Sequence, residues 1–99
     1  MKEDKLKRFE TKSTEYLREE GIYGDVEASA MKHVIAATLA QRMERLNITV
    51  TGLADELGTS RAAVNRVLDP LNTSLTLTTL ARTAAALGCR VRVEILTPR

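Results

Sequence analysis

The sequence contains little cysteine and few aromatic residues, and it has no long apolar run. Cys89 is the only cysteine, so one chain can form neither a disulfide framework nor a cysteine-based metal site. No apolar segment approaches the roughly 18 residues that are needed to span a bilayer. The N-terminus is densely charged and lacks the apolar segment of a signal peptide. We therefore expect a soluble, cytoplasmic protein with no membrane partner.

The signatures of enzymes and metal sites are also missing. His33 is the only histidine, and no cysteine lies near it in the sequence. Ser60 is not part of a nucleophile-elbow pattern. Asp55 and Glu56 are adjacent, so their carboxylates would point apart on a helix. We therefore predict that the chain is not an enzyme and requires neither a metal ion nor a cofactor.

The apolar content is aliphatic and rich in alanine. Of the 99 residues, 43% are hydrophobic but only 3% are aromatic. This length suits one domain, and alanine favours helices that approach closely. We predict a mostly α fold in which residues 1–24 are a charged arm and residues 25–99 form the folded domain. The arm is expected to be partly disordered or to contain a short helix that ends at Gly21.

Positive charge is concentrated in the C-terminal part of the chain. The net charge is only +2, but after Thr59 arginines outnumber the two acidic residues, Asp69 and Glu94. These arginines are Arg61, Arg66, Arg82, Arg90, Arg92 and Arg99. A guanidinium group can make bidentate contacts with phosphate or guanine. The distribution suits nucleic acid, although arginines that are merely solvated on helix faces give the same pattern.

Apolar spacing predicts a long helix in the first half of the domain. It would begin between Asp25 and Ser29 and end at Asn47, which can adopt a left-handed conformation. Its core face would consist of Ile35, Leu39, Met43 and Leu46, whose spacing of four, four and three is helical.

A further helix is predicted from about Leu77 to Leu87. Thr76 would cap its N-terminus and Gly88 would end it. Its inward residues would be Leu77, Leu80, Ala81, Ala84 and Leu87.

Two short helices joined by a tight turn lie between these longer ones. Thr49 and Ser60 are placed to cap them, and they would end at Leu57 and Leu68. Gly58 can take the positive φ of the turn. A DNA-binding helix-turn-helix has this organisation, because its second helix must project into the major groove.

The segment ITVTGLADELGTSRAAVNRVLD, residues 48–69, resembles the repressor-type (Xre, or lambda-repressor-like) helix-turn-helix family. The resemblance rests on Ile48-Thr49, Leu53-Ala54 and Gly58-Thr59-Ser60. It implies a bundle of four to five helices whose partner is double-stranded DNA. The family often has glutamine after the threonine, whereas this chain has Val50, which we expect to pack locally.

The following stretch, NTSLTLTTLARTAAALGCRVRVEI, resembles the fourth helix and final strand of a subset of that family. The subset includes small regulators and antitoxins of the HigA type, which are often paired with a RelE-like or HigB-like toxin. The resemblance covers about residues 30–96, and it adds a toxin protein to the partners that can be expected.

Helix geometry indicates which side chains would contact DNA. Arg61 is placed to bind a guanine edge, Asn65 an adenine or a phosphate, and Ala62 a thymine methyl group. Ser60 would both cap the helix and bind phosphate. The other candidates for phosphate contacts are Thr49, Thr51, Arg66, Asn72 and Thr73.

The C-terminal segment from Arg90 to Ile95 alternates polar and apolar residues, which is typical of a half-buried strand. A lone strand needs a partner, and we expect it to pair with the same strand of a second copy about a two-fold axis. Val91, Val93 and Ile95 would form this dimer contact. The alternatives are a strand folded onto its own helices or one offered to a different protein.

These features predict a homodimeric, sequence-specific transcriptional regulator that binds a palindromic operator and represses its own gene. The principal alternative is an antitoxin that binds and neutralises a RelE-like or HigB-like toxin, with the charged N-terminal arm as the contact. A third hypothesis is a protein-interaction module with a vestigial helix-turn-helix, which the presence of Val50 and the modest net charge would suit.

Overall fold

The computed structural model describes residues 14–98, with side chains from Gly21 onward. Within that range the chain forms four helices and no strand. They are α1 (Thr14–Leu46), α2 (Val50–Leu57), α3 (Arg61–Leu68) and α4 (Leu77–Ala86). The predicted mostly helical bundle is confirmed. None of these helices is both long and apolar enough to cross a membrane.

Helix α1 is continuous through Gly21 and Gly24, so the predicted break at Gly21 and the predicted start between Asp25 and Ser29 are both wrong. A glycine ends a helix when it adopts a positive φ, and neither of these two glycines does so. Residues 1–13 of the predicted arm lie outside the described residues, and the boundary between residues 24 and 25 remains a prediction.

Local capping chemistry determines where α2, α3 and α4 begin. Their N-caps are Thr49, Ser60 and Thr76, all in extended backbone conformation. Each hydroxyl accepts a hydrogen bond from the backbone N–H three residues further on, at 3.0, 3.1 and 3.1 Å respectively. All three predicted caps are confirmed. Asn47, with a φ of 55°, ends α1 in the left-handed conformation that was expected of it.

The core lies where α1 meets the three shorter helices. Leu53, Val64 and Leu87 are at most 1% exposed at its centre. On α1 the buried stripe is Lys32, Ala36, Leu39 and Met43. Three residues that were predicted to face inward are exposed instead, namely Leu46, Leu77 and Ala81. Leu46 and Leu77 are terminal residues of their helices, and they lie beyond the region where those helices pack.

The segment after α4 forms neither helix nor strand in the part of the chain that the structure describes. Val91, Val93 and Ile95 are 43%, 68% and 80% exposed. The predicted C-terminal strand is therefore not seen in the single chain. A strand requires hydrogen bonds to a neighbouring strand, and residues 14–98 contain none. Pairing across a dimer remains a prediction.

Candidate nucleic-acid interface

Helices α2 and α3 are joined by a tight turn at Gly58. The φ of this residue is 67°, which is the left-handed conformation that favours glycine. The N–H groups of Gly58 and Thr59 donate to carbonyls in the last turn of α2, at 3.2 and 2.9 Å. Ala54 and Val64, which are 2% and 1% exposed, pack in the core on either side of the turn. This is the predicted helix-turn-helix, and its second helix is α3.

Helix α3 has one buried face and one open face. Val64 and Val67 are buried and Ala63 and Leu68 are half-buried, so these four residues form the inward side. The four exposed residues of α3 are Arg61, Ala62, Asn65 and Arg66. These are the four helix residues that the sequence assigned to DNA, so α3 leaves them all accessible. Ser60 stands at the N-terminus of the same helix, where its hydroxyl oxygen already accepts from Ala63 N–H.

The predicted phosphate contacts lie at two further places beside α3. Thr49 and Thr51 are exposed at the N-terminus of α2. Asn72 and Thr73 follow α3, and Thr73 is exposed while Asn72 is half-buried. The amide of Asn72 is engaged at both ends: Nδ2 donates to the Arg66 carbonyl and Oδ1 accepts from Ser74 N–H, each at 3.1 Å. Asn72 therefore holds the loop in shape, whatever else it contacts.

Val50 stands where the resembling family often has glutamine. It is half-buried and packs against the core cluster. The expected local packing is confirmed. A hydrocarbon side chain can form no hydrogen bond to phosphate, so any polar contact at this end of α2 must come from Thr49, Thr51 or the backbone.

Lys32 is the main functional candidate that the sequence analysis missed. It is 2% exposed on α1, and its Nζ donates to the carbonyls of Arg66, Asp69 and Asn72 at 3.1, 2.6 and 2.6 Å. Burial lowers the pKa of Lys32, and the Asp69 carboxylate opposes that shift. The spacing of Lys32 from Ala36, Leu39 and Met43 is helical, which could have placed it on the inward stripe. Its partners, 34 to 40 residues away, leave no signal in the sequence.

Arg82 is a second residue that the sequence analysis did not assign to the site. A groove of about 220 Å³ lies between α3 and α4, and both Arg66 and Arg82 line it together with several hydroxyl-bearing residues. The guanidinium Nη2 of Arg82 donates to the Leu57 carbonyl at 3.0 Å, so the charge is held beside the helix-turn-helix. The groove consequently has two guanidinium groups in its wall, next to the exposed face of α3.

A family model agrees with this geometry. The model for the Cro/C1-type HTH DNA-binding domain matches residues 38–96, which is more than half of the chain and includes α2, α3, α4 and the end of α1. No curated protein and no solved structure matches the chain.

Proposed function

The chain belongs to the Cro/C1-type helix-turn-helix DNA-binding domain family, and from this we propose that it is a sequence-specific transcriptional regulator. It binds a palindromic operator as a homodimer and represses its own gene by occluding polymerase. The observation that carries the proposal is the open face of α3, on which every exposed residue is one that suits DNA. Family membership supports DNA binding in general, and this face supports sequence selectivity.

The base contacts in this proposal come from the first five residues of α3. The N-terminal part of a recognition helix enters the major groove. Arg61 is its first residue and makes a bidentate contact with guanine, and Asn65 lies one turn later, where it contacts adenine. Ala62 between them contacts a thymine methyl group. All three side chains are exposed, so packing of the core does not restrict which residue occupies each position.

Phosphate contacts surround the base contacts and set the register of the protein on DNA. The hydroxyls of Thr49, Thr51 and Ser60 contact one strand from the N-termini of α2 and α3. Thr73 and Asn72 contact the backbone beyond α3, together with Arg66. The groove that Arg66 shares with Arg82 extends this positive surface towards α4.

The homodimer in the proposal is formed by the C-terminal segment. Val91, Val93 and Ile95 alternate with charged residues and are 43% to 80% exposed in the single chain. Antiparallel pairing with the same segment of a second copy would cover these side chains and satisfy the backbone groups. The two α3 helices must then lie about 34 Å apart, or a multiple of that, to reach successive major grooves.

Selection of duplexes from a random-sequence library by the purified chain tests this function. We expect an enriched inverted repeat whose half-sites are about one turn, roughly 10 base pairs, apart or a multiple of it. A variant in which Arg61 and Asn65 are both alanine serves as the control and should enrich no such repeat. Failure of the unmodified chain to enrich any sequence would contradict the proposal.

One observation favours an antitoxin as a second candidate function. Between residues 22 and 34, α1 carries apolar side chains that no other part of the described chain covers. Ile22, Tyr23, Val26, Met31 and Val34 are 57%, 66%, 60%, 59% and 65% exposed. This surface, with the charged arm before it, would contact a RelE-like or HigB-like toxin, and an apolar patch rimmed by polar residues suits a protein partner.

Co-purification with the product of an adjacent toxin-like gene tests the antitoxin function. Deletion of residues 1–20 and the substitution Val26→Asp should each weaken the complex, whereas Thr97→Asp, at the other end of the chain, should leave it intact. If the two altered chains bind the toxin as well as the unmodified chain does, this surface is not the contact.

A further inference from the structure

Lys32 is where α1 enters the helical bundle. Between Gly21 and Met31 no residue of α1 is fully buried. Lys32 is then 2% exposed, and its Nζ lies within 3.1 Å of three backbone carbonyl oxygens. All three belong to the C-terminal end of α3 or to the turn that follows it. A charged group from one helix is thus enclosed by the backbone at the end of the recognition helix.

The chemistry of this contact is that of a helix C-cap supplied from outside the helix. A lysine ammonium has three N–H donors and no acceptor, so three carbonyls satisfy it completely. The last carbonyls of an α-helix lack partners within the helix and carry the negative end of its dipole. Arg66 lies in the last turn of α3 and Asp69 is its C-cap. The ammonium therefore adds a charged donor to carbonyls that otherwise accept only from neutral N–H groups, and it neutralises the negative end of α3.

This contact connects the recognition surface to the longest helix. Helix α3 has only eight residues, and a helix of two turns is not stable by itself. Its direction therefore depends on its tertiary contacts. The Arg66 carbonyl also accepts from Asn72 Nδ2 at 3.1 Å. The end of α3 and the loop with Asn72 and Thr73 thus share one anchor, which is Lys32.

We propose that Lys32 is a positioning residue for DNA recognition. It does not contact DNA. It fixes the end of α3 and the following loop against α1, so that the base contacts of α3 and the phosphate contacts of the loop reach the same duplex together. A recognition group is effective only when the groups behind it hold its geometry. This inference rests on the proposed DNA-binding function and adds to it a residue on a helix that lies outside the helix-turn-helix.

The substitution Lys32→Met tests the inference, because methionine fills a similar volume but has no donor. The matched control is Met43→Ala, which removes a buried side chain from the same helix about 16 Å further along its axis. Affinity is measured for a duplex selected by the unmodified chain and for a scrambled duplex, at a temperature at which each variant is folded by circular dichroism. Carbonyl carbon chemical shifts of Arg66, Asp69 and Asn72 report the anchor itself.

We expect Lys32→Met to lose roughly tenfold in affinity for the selected duplex, about the value of one base contact, and less for the scrambled one. Met43→Ala should leave the ratio of the affinity for the selected duplex to that for the scrambled duplex as it is in the unmodified chain. Unchanged selectivity in folded Lys32→Met would overturn the inference, and so would an equal loss in Met43→Ala. If no duplex is selected by the unmodified chain, the DNA-binding function itself fails, whereas the carbonyl shifts still report whether the anchor exists.

Lys32→Arg covers the case in which the methionine variant does not fold. Arginine keeps the charge, but its planar fork cannot direct three bonds to the three carbonyls as an ammonium does. We expect a folded protein with selectivity between that of the unmodified chain and non-selective binding. Full selectivity in Lys32→Arg, with the carbonyl shifts of the three residues altered, would overturn the role of this anchor.

Discussion

At the scale of single residues, Arg61 matters most for the proposed reading of DNA sequence. It is the first residue of α3, it is exposed, and no side-chain hydrogen bond holds it within the described chain. Such a side chain contributes little to folding. Its position at the N-terminus of an exposed helix leaves its guanidinium group available to a ligand.

We predict that Arg61→Ala lowers the affinity for the selected duplex by about 1–3 kcal/mol and relaxes specificity at one base pair. The reason is the loss of a bidentate contact to one base, with the phosphate contacts retained. Competition binding against duplexes altered one position at a time measures this. Arg45→Ala, an exposed arginine on α1, is the control. Equal weakening on every sequence would mean that Arg61 contacts only the backbone.

Individual residues differ in how well their roles can be predicted from sequence. Thr49, Ser60 and Thr76 were predicted as caps and are confirmed, because a cap interacts with a backbone group only three residues away. Lys32 could not be predicted in its role, since its partners lie 34 to 40 residues along the chain. A lysine on an otherwise apolar stripe was the only indication, and a solvated lysine is the usual explanation of that pattern.

At the scale of elements, glycine has opposite effects in α1 and in the turn before α3. Gly58 has a φ of 67°, whereas Gly24 lies within α1 in helical conformation. An added Cβ would meet nothing within 4 Å at either position. Backbone conformation alone therefore determines whether a substitution at each of these two sites raises or lowers the free energy of unfolding.

We predict that Gly58→Ala lowers the free energy of unfolding by about 1–2 kcal/mol, because a side chain is strained in the left-handed region. Gly24→Ala should instead stabilise α1 by roughly 0.5–1 kcal/mol, since alanine is the better helix former. Urea unfolding followed by circular dichroism measures both. A stabilising effect of Gly58→Ala would show that the turn does not require a positive φ.

The start of the long helix was predicted wrongly from the sequence. Gly21 was predicted to end a short helix, but α1 continues from Thr14 to Leu46. Glycine lowers helix stability without forbidding a helix, and only a positive φ stops one. Leu77 was predicted to face inward but is exposed. Helical periodicity indicates which face of a helix packs, but it does not indicate at which residue along that face packing begins.

At the scale of the whole molecule, dimerisation determines whether one recognition helix or two meet the DNA. The exposed apolar residues after α4 are the basis for expecting two. This feature could be predicted from sequence only as a pattern, because the strand partner would belong to another chain. Residues 90–98 accordingly have no regular structure in the single chain.

We predict that Val93→Asp shifts the protein from dimer to monomer, because the substitution would place a carboxylate in the apolar contact between the two strands. Sedimentation equilibrium measures the change, and Thr97→Asp, outside the alternating run, is the control. Binding to a full palindrome should weaken in parallel, whereas binding to a half-site should not. A Val93→Asp chain that remains dimeric would place the dimer contact elsewhere.

The central claim, that this chain is a sequence-specific DNA-binding regulator of its own gene, is tested most directly by one titration. The purified chain is titrated into the duplex upstream of its own gene and into a scrambled duplex, over a series of salt concentrations. We predict selective binding to the upstream duplex, with affinity that falls steeply as salt increases because phosphate contacts release counterions. Equal binding to both duplexes at every salt concentration would contradict the claim.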